Sequence, residues 1–354
     1  MEQGNPYSPL KVFHHRYHLA MLGAGRHVTP VHVQIILTNR CNQGCLFCSY
    51  RQPGYSSNES FDTRDEIPSW KLAEIIEDCK SMGVKAIEVT GGGEPTCHPH
   101  FLDICRQITE LGMDLGLVTN GSKWSAEHAT VLARAKWVRF SLDAGSPETY
   151  ATLRHSRPEV YGEVYIHIRE LLSARKGTDP LVGIGFVVNA DNWQEVVDAT
   201  IAAKEVGVDN IRLSAVFQND GASYFDGFGV EAAKLCREAE AMATPTFRVF
   251  NLFGDRVHDL VEGKPDYSFC GFHRLCTYIG ADENVYRCCV VSYNAIGLIG
   301  SLKTRRFSEL WDDPETKRNL AEFDAHRCPR CMFHGKNRTI AYALDKNPRH
   351  VNFL

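Results

Sequence analysis

The sequence predicts an α/β protein with a mainly parallel sheet and a smaller cysteine-rich region at its C-terminal end. Between residues 31 and 217, short β-branched runs alternate with amphipathic helical stretches, a pattern typical of parallel sheets. The alternation stops after residue 217, and six of the thirteen cysteines follow residue 265. We therefore expect one α/β domain with a C-terminal appendage.

Six strands are predicted within the alternating region, each followed by a helix or a loop. They cover residues 31–37, 86–90, 115–119, 137–143, 182–188 and 211–217. In the first clear helix, WKLAEIIEDCKSMG, Leu72, Ile75, Ile76 and Cys79 recur at helical spacing, which predicts that Cys79 is buried as a small apolar side chain. A helix near 230–243 and a further strand within 246–253 are expected beyond the alternating region.

Composition and charge narrow the class of protein. The 354 residues are 44% hydrophobic with a net charge of −4, and the lysines and arginines are scattered, which argues against a nucleic-acid partner. Apolar runs fall well short of the ~20 residues of a membrane-spanning helix. The N-terminus lacks the pattern of a signal peptide, so a cytoplasmic location is expected. Thirteen cysteines in such a chain favour metal binding or catalysis over disulfides.

Three cysteines, Cys41, Cys45 and Cys48, lie in a short loop directly after the first strand. Active sites of parallel α/β sheets lie at this end of the strands. Thiolates select zinc or iron–sulfur clusters, and a closed site takes four ligands. Three thiolates without a nearby fourth favour a cluster with one open iron, and a zinc site is the alternative.

A glycine-rich segment, VTGGGEP, ends the second strand at residues 89–95. Glycines at such a place let the backbone approach a ligand closely, and Glu94 has a carboxylate that can accept hydrogen bonds from an ammonium group. A plain turn is the alternative interpretation.

The motif CNQGCLFC, with Phe47 before the last cysteine, resembles the C-x3-C-x2-C motif of the radical S-adenosylmethionine (SAM) superfamily. The resemblance covers about residues 31–217 and implies a partial (β/α)6 TIM-like barrel. It implies that the three cysteines hold a [4Fe–4S] cluster whose fourth iron binds SAM, which is reductively cleaved to a 5′-deoxyadenosyl radical. The SAM-binding residues that it implies are Phe47, Gly91, Gly92, Gly93, Glu94, Pro95, Asn120, Ser141, Asp143, Arg154, Asn189, Ser214 and Val216.

The C-terminal region resembles the twitch and SPASM domains appended to such enzymes, on the stretches ADENVYRC and GLIGSLKTRRFSELW and the CPRC pair. The resemblance implies one auxiliary [4Fe–4S] cluster on Cys270, Cys288, Cys328 and Cys331, with zinc as an alternative metal. Whether Cys270 or Cys276 is the ligand stays open. Glu283 stands where that family usually has glycine, which leaves the geometry of its turn in question.

The domain division expected from these features is an N-terminal extension (1–30), the barrel (31–217), a linker with a helix and a possible strand (218–265), and the auxiliary-cluster domain (266–354). The resemblance implies a radical SAM enzyme that abstracts hydrogen from a small substrate, a sugar or aminosugar among the candidates. Oxidation of an alcohol to a ketone is favoured. Epimerisation with a cysteine hydrogen donor (Cys276, Cys289 or Cys97) and modification of a ribosomal peptide are alternatives, and a non-catalytic scaffold is disfavoured. Flavodoxin or ferredoxin is the expected type of electron donor.

Overall fold

The fold is described from a computed structural model that covers residues 5–52, 59–177 and 179–352. The outermost residues of the predicted N-terminal extension, 1–4, and of the predicted auxiliary-cluster domain, 353–354, lie outside these described ranges.

One ten-stranded sheet forms the centre of the molecule, in the order β10-β9-β8-β1-β2-β3-β4-β5-β6-β7. Pairing from β8 through β1 to β7 is parallel, whereas β9 and β10 are antiparallel to their neighbours. The strands are β1 His32–Ile36, β2 Ala86–Thr90, β3 Asp114–Thr119, β4 Trp137–Ser141, β5 Leu181–Val188, β6 Asn210–Ala215, β7 Arg248–Asn251, β8 Cys276–Ile279, β9 Asn284–Tyr286 and β10 Leu298–Ser301.

The helices are α1 Arg16–Gly23, α2 Ser69–Ser81, α3 Phe101–Glu110, α4 Ala126–Leu132, α5 Pro147–Arg154, α6 Glu159–Ala174, α7 Val196–Val206, α8 Gly229–Glu240, α9 Phe253–Glu262, α10 Phe272–Leu275, α11 Phe307–Asp312, α12 Pro314–Glu322 and α13 His334–Leu344. Those that connect the parallel strands from β1 to β7 form a layer on one face of the sheet, whereas α1 and α13 pack against each other in a separate apolar cluster. Alternate strand residues such as Val33 and Ile35 are buried against this helical layer. Cys79 is buried in the same core, as predicted. The opposite side chains of each strand line the inner face of the sheet.

All six predicted strands form, and the α/β fold class with its partial barrel is confirmed. The fourth and sixth predicted strands end two residues early, at Ser141 and Ala215. The fourth ends there because Asp143 adopts a positive φ of 58°, which an extended strand does not allow. The further strand expected within 246–253 is β7, which pairs in parallel with β6.

The C-terminal strands extend the barrel sheet on the side of β1. Cys276 at the start of β8 pairs with His32 at the start of β1. The indole Nε1 of Trp311 donates a hydrogen bond of 2.9 Å to the carbonyl oxygen of Val28, which joins the C-terminal region to the segment before β1. Across the described ranges, every helix is too short or too polar to traverse a lipid bilayer.

Candidate functional site

The three-cysteine loop begins directly after β1, at the C-terminal edge of the parallel strands. Cys41, Cys45 and Cys48 are all partly buried. Burial raises the pKa of Cys41 to about 11, and the neighbouring Glu94 and Cys45 contribute to that shift. Burial also raises the pKa of Cys45, an effect that the Arg154 guanidinium opposes and nearby Cys48 reinforces. The structure thus brings the three thiols together at one edge of the sheet.

Arg154, the last residue of α5, connects this loop to the barrel. Its Nη1 donates to Gln43 Oε1 at 2.9 Å and to Cys45 Sγ at 3.7 Å, and its Nη2 pairs with Asp143. Gln43 in turn donates from Nε2 to the hydroxyl of Tyr150 at 2.8 Å. Arg154 is thereby held by protein groups from three segments of the chain, and it contacts the middle cysteine of the loop.

Asp143 is similarly held by the protein. Its Oδ1 accepts a hydrogen bond of 2.6 Å from the backbone N–H of Val187, and its side chain is only 2% exposed. Burial raises the pKa of Asp143, and the adjacent Arg154 opposes that shift. Both side chains of this pair contact protein groups, and the SAM-binding role that the family resemblance implies for them stays a prediction.

The glycines of the VTGGGEP segment allow the loop after β2 to cross close to the loop after β1, which carries the three cysteines. A Cβ added to Gly93 would lie 2.0 Å from the carbonyl oxygen of Arg40, and one added to Gly92 would lie 2.2 Å from Asn39 Oδ1. The N–H of Glu94 donates to the same Arg40 oxygen at 2.9 Å. Glycine is therefore required here because the backbone of this segment approaches the cysteine loop closely. The sequence had suggested a close approach to a ligand.

Glu94 is 3% exposed and lies under the crossing. Its Oε1 accepts from Thr96 N–H at 3.1 Å, Thr96 Oγ1 at 2.9 Å and Thr119 Oγ1 at 2.6 Å, whereas Oε2 accepts only from Asn120 N–H at 2.7 Å within the described ranges. Burial raises the pKa of Glu94, and these hydrogen bonds oppose the shift. Because each carboxylate oxygen has two lone pairs, Oε2 retains capacity for one further donor.

The remaining implied SAM-binding residues lie along the same edge of the sheet. Asn120 donates from Nδ2 to Asn42 Oδ1 in the cysteine loop at 2.9 Å. Ser141 ends β4 on the inner face, and Ser214 has the same orientation near the end of β6. Phe47 packs against the main apolar core, and Gly91 and Pro95 lie beside the crossing of the two loops. Asn189 is buried after β5, and the N–H of Val216 donates to the carbonyl oxygen of Val188.

A second group of thiols forms where β9 and the segments before α10 and α13 meet. Burial raises the pKa of Cys288, and the neighbouring thiols of Cys289, Cys270, Cys328 and Cys331 raise it further. Burial raises the pKa of Cys328 to about 12, and the nearby thiols of Cys270 and Cys331 contribute to that shift. Cys270 is therefore in this group, and the structure places Cys276 elsewhere.

The chemistry of the two donor sets limits the metal that they can bind. Each set consists of thiols, and thiolates select zinc or iron–sulfur clusters. Three thiolates leave one coordination position of a site open, whereas four close it. Both sets fit an iron–sulfur cluster.

The three cysteines considered as hydrogen donors occupy different places. Cys276 starts β8 opposite His32, and its Sγ lies 3.4 Å from His32 Nδ1, at the end of β1 remote from the cysteine loop. Cys97 follows the glycine-rich segment and is partly buried. Cys289 lies 3.9 Å from the sulfur of Met332.

An aromatic cluster contains residues that follow the three-cysteine loop and residues of the C-terminal strands. It consists of Tyr50, Phe61, Tyr278, Tyr286 and Tyr293, together with Ile36 and Ala281, and Cys289 packs against it. The hydroxyls of Tyr50 and Tyr278 lie 3.1 Å apart, and Tyr293 donates to Asn39 Oδ1 at 2.8 Å. One packed layer therefore connects the loop after Cys48 with the segment that carries Cys288.

Residues 35–200, which include the three-cysteine loop and the glycine-rich crossing, match the family model of the radical SAM superfamily. This segment is a radical SAM domain. The superfamily uses a [4Fe–4S] cluster and SAM, and the cysteine-rich C-terminal region fits an auxiliary cluster.

Several known proteins resemble the chain in sequence. A cofactor-modifying protein for tungsten-containing aldehyde ferredoxin oxidoreductase from Pyrococcus furiosus is 30% identical over 50% of this chain and 49% of its own length. A probable GTP 3′,8-cyclase from Thermococcus kodakarensis is 32% identical over 36% of this chain and 38% of its own. The chain thus spans half or less of these two relatives. The mycofactocin maturase MftC of Mycolicibacterium smegmatis is 25% identical over 85% of this chain and 75% of its own.

Two solved structures share the fold. SuiB of Streptococcus suis, bound to S-adenosylmethionine, superposes with a TM-score of 0.62 at 16% identity, over 90% of this chain and 74% of SuiB. The anSMEcpe structure with bound AdoMet gives a TM-score of 0.58 at 16% identity, over 87% of this chain and 88% of its own. At this identity the likeness concerns the fold.

Sequence reasoning missed two residues that shape the site, Asn42 and Gln43. Both lie between the first two cysteines of the loop, and their contacts are made to Asn120, Ser122, Tyr150 and Arg154, far along the chain. Their position inside the motif was a usable signal, but the identity of their partners depends on the fold.

Proposed function

We propose that the protein is a radical SAM enzyme that removes hydrogen from a small substrate, a sugar or aminosugar among the candidates, and oxidises an alcohol carbon to a ketone. The observation that supports oxidation is the second thiol group, with four cysteines, joined to the three-cysteine loop by one aromatic layer. Four thiolates leave a cluster without an open iron, which suits electron transfer rather than substrate binding.

The groups that the protein would hold supply the radical chemistry. When bound, SAM and the three-thiolate cluster provide the 5′-deoxyadenosyl radical, and the four-thiolate cluster accepts an electron. Overall, the substrate carbon gives one hydrogen atom, which becomes part of 5′-deoxyadenosine, and then one electron, and its hydroxyl loses one proton. The product is a ketone that has two hydrogen atoms fewer than the alcohol.

The protein's own contribution is positioning. Cys41, Cys45 and Cys48 would bind the SAM cluster, and Arg154 holds the middle thiol in place. The unused acceptor position on Glu94 Oε2 suits the ammonium group of SAM. Cys270, Cys288, Cys328 and Cys331 would bind the second cluster. An external one-electron donor such as flavodoxin or ferredoxin would supply the reducing electron.

The first test is formation of 5′-deoxyadenosine from SAM by the reconstituted protein with dithionite as reductant. We expect product from the wild type and none when Cys41, Cys45 and Cys48 are all replaced by alanine. A wild type with both clusters in place that forms no 5′-deoxyadenosine would refute the radical SAM activity.

Oxidation and epimerisation differ in what happens to solvent deuterium. In D2O, with a panel of sugar alcohols and aminosugars, oxidation yields a ketone that lacks two hydrogen atoms and acquires no deuterium at the reacting carbon. Epimerisation through a thiol donor yields an isomer with one carbon-bound deuterium. The second result would reject the oxidation proposal, and replacing Cys97, Cys289 and Cys276 by alanine one at a time would then identify the donor.

A further inference from the structure

Two arginines on the inner face of the sheet are not used by the proposed function. Arg139 on β4 and Arg212 on β6 lie on either side of β5, where Gly185 pairs with Arg212. A Cβ added to Gly185 would lie 3.3 Å from Cδ of Arg139, because that side chain extends across the glycine. The Arg139 side chain therefore lies over β5, next to the strand that carries Arg212.

The charges of this pair are not neutralised by the protein. Within the described ranges no carboxylate lies at ion-pair distance from either guanidinium, and the nearby Glu88 contacts His32 at 3.5 Å. The Nε of Arg212 is buried without a hydrogen-bond partner. Burial lowers the pKa of Arg212 to about 10, and the charge of Arg139 contributes to that shift.

Aromatic rings orient both guanidiniums without removing their charge. The Cζ of Arg139 lies 5.4 Å from the ring centroid of Trp137, and that of Arg212 lies 5.7 Å from the ring of Tyr7. An unpaired cation in such surroundings destabilises the folded protein. Local features that cost stability in this way are concentrated at functional sites.

The two arginines lie close enough to the SAM edge of the sheet to contact a substrate that is bound there. Ser141 and Ser214 follow the two arginines by two residues on the same strands and share their face. Two residues of a parallel strand span roughly 6.6 Å. Arg212 lies level with Ser141, because both pair with Gly185, and Arg139 lies one side-chain layer further from the edge at which SAM is proposed to bind.

We infer that Arg139 and Arg212 bind an oxyanion of the substrate, a phosphate or a carboxylate, and so present the rest of the molecule to the SAM site. Arginine binds both groups through paired charge-assisted hydrogen bonds. The inference rests on the proposed function for the identity of the ligand as substrate, and it narrows the candidates to sugar phosphates and sugar acids.

The test is the thermal unfolding midpoint of the reconstituted protein in potassium chloride, inorganic phosphate or acetate at matched ionic strength. The variants are Arg139→Gln and Arg212→Gln, and the control is Arg169→Gln, whose side chain is exposed on α6. Phosphate raises the unfolding midpoint of proteins in general. Binding at the two arginines is therefore measured by the difference in the midpoint shift between the variants and the wild type.

We expect one of the two anions to raise the midpoint of the wild type and of Arg169→Gln, with apparent binding weakened at least about ten-fold in both inner-face variants. A larger effect of phosphate would indicate a phosphate ester, and a larger effect of acetate would indicate a carboxylate. In chloride, Arg212→Gln should unfold at the same temperature as the wild type or higher, because it removes an unpaired and partly buried cation.

Equal shifts in all four proteins, or no shift in the wild type with either anion, would overturn the inference. So would a large loss of stability in chloride for Arg212→Gln with anion binding intact, because that combination indicates a structural role. If Arg212→Gln does not fold, Arg139→Gln gives the same comparison. Failure of the wild type to form 5′-deoxyadenosine, with the anion effect present, would reject the proposed function alone.

Discussion

Arg154 illustrates how a single side chain can organise the site through contacts with other protein groups. In the structure it contacts Asp143, Gln43 and Cys45, and its role in binding SAM stays a prediction. The presence of an arginine at this position is visible in the sequence. Its partners are not, because Gln43 and Cys45 are more than one hundred residues away along the chain and the contact depends on the closing of the barrel.

Replacing Arg154 by alanine should strongly destabilise the protein. The change leaves the carboxylate of Asp143 buried and unpaired, which costs about 3–5 kcal/mol of unfolding free energy. Urea unfolding would measure the loss. The control is Lys136→Ala, because the Lys136–Asp179 pair is about half exposed at 52% and 50% and should contribute less than about 1 kcal/mol. Similar losses in the two variants would contradict the buried role of Arg154.

His27 should make the protein sensitive to mild acid. Burial lowers the pKa of His27 to about 4, with Arg274 contributing to the shift, and neither ring nitrogen has a hydrogen-bond partner among the described residues. The folded pKa lies below the ordinary value of 6.5, so between these values the unfolded chain binds a proton that the folded protein does not. Stability should therefore fall as pH decreases through this window.

The expected effect is about 1 kcal/mol between pH 7 and pH 5.5, and His27→Asn should remove that part of the pH dependence. Unfolding free energies at the two pH values, measured for both proteins, give the comparison. An unchanged pH dependence in the variant would mean that His27 is not the responsible group.

The inner-face arginines show a signal that was present in the sequence but was not used. Arg139 and Arg212 stand at alternate positions within the otherwise apolar or small-residue strands WVRFS and NIRLSA. A charged residue at a position predicted to face the interior of a sheet indicates either an ion pair or a ligand. The distinction needs the structure, since it depends on which carboxylates lie nearby.

At the level of elements, the strands of the barrel were predictable and the additions to its sheet were not. Periodicity and β-branched composition located six strands to within a few residues, because each strand is buried against helices. Pairing of β8 with β1 joins residues more than two hundred positions apart. Local sequence carries no signal for such a contact, so the parallel attachment of the C-terminal strands could not be derived.

The turn between β8 and β9 answers the question that Glu283 raised. Glu283 adopts a φ of 63°, the left-handed conformation that glycine occupies without strain. The turn therefore keeps the backbone geometry that suits glycine, although its residue is Glu283, which has a side chain. Its carbonyl accepts a 2.8 Å hydrogen bond from the N–H of Leu302, which connects the turn to the end of β10.

Glu283→Gly should raise the unfolding free energy by about 1 kcal/mol, because it removes the strain of a left-handed residue with a Cβ. Glu238→Gly is the matched control, since Glu238 is exposed within α8 and glycine there should lower stability by roughly 0.5–1 kcal/mol. Opposite signs in urea unfolding are the expected result. A loss of stability in both variants would contradict the strained turn.

At the scale of the whole molecule, one aromatic cluster connects the segments that carry two groups of thiols. Three thiols lie in the loop after β1, and four lie where the C-terminal segments meet. The first group was predictable from its spacing alone. The second required the choice between Cys270 and Cys276, and the structure brings Cys270 to the group and leaves Cys276 beside His32.

The central claim is that these are two separate iron–sulfur sites, and iron and sulfide content tests it most directly. Both would be measured per chain after anaerobic reconstitution, for the wild type and for the variant with Cys41, Cys45 and Cys48 replaced by alanine. We predict about eight irons falling to about four, as two four-iron clusters require. About four irons falling to none, with zinc bound by the C-terminal cysteines, would contradict the claim and remove the basis for oxidation.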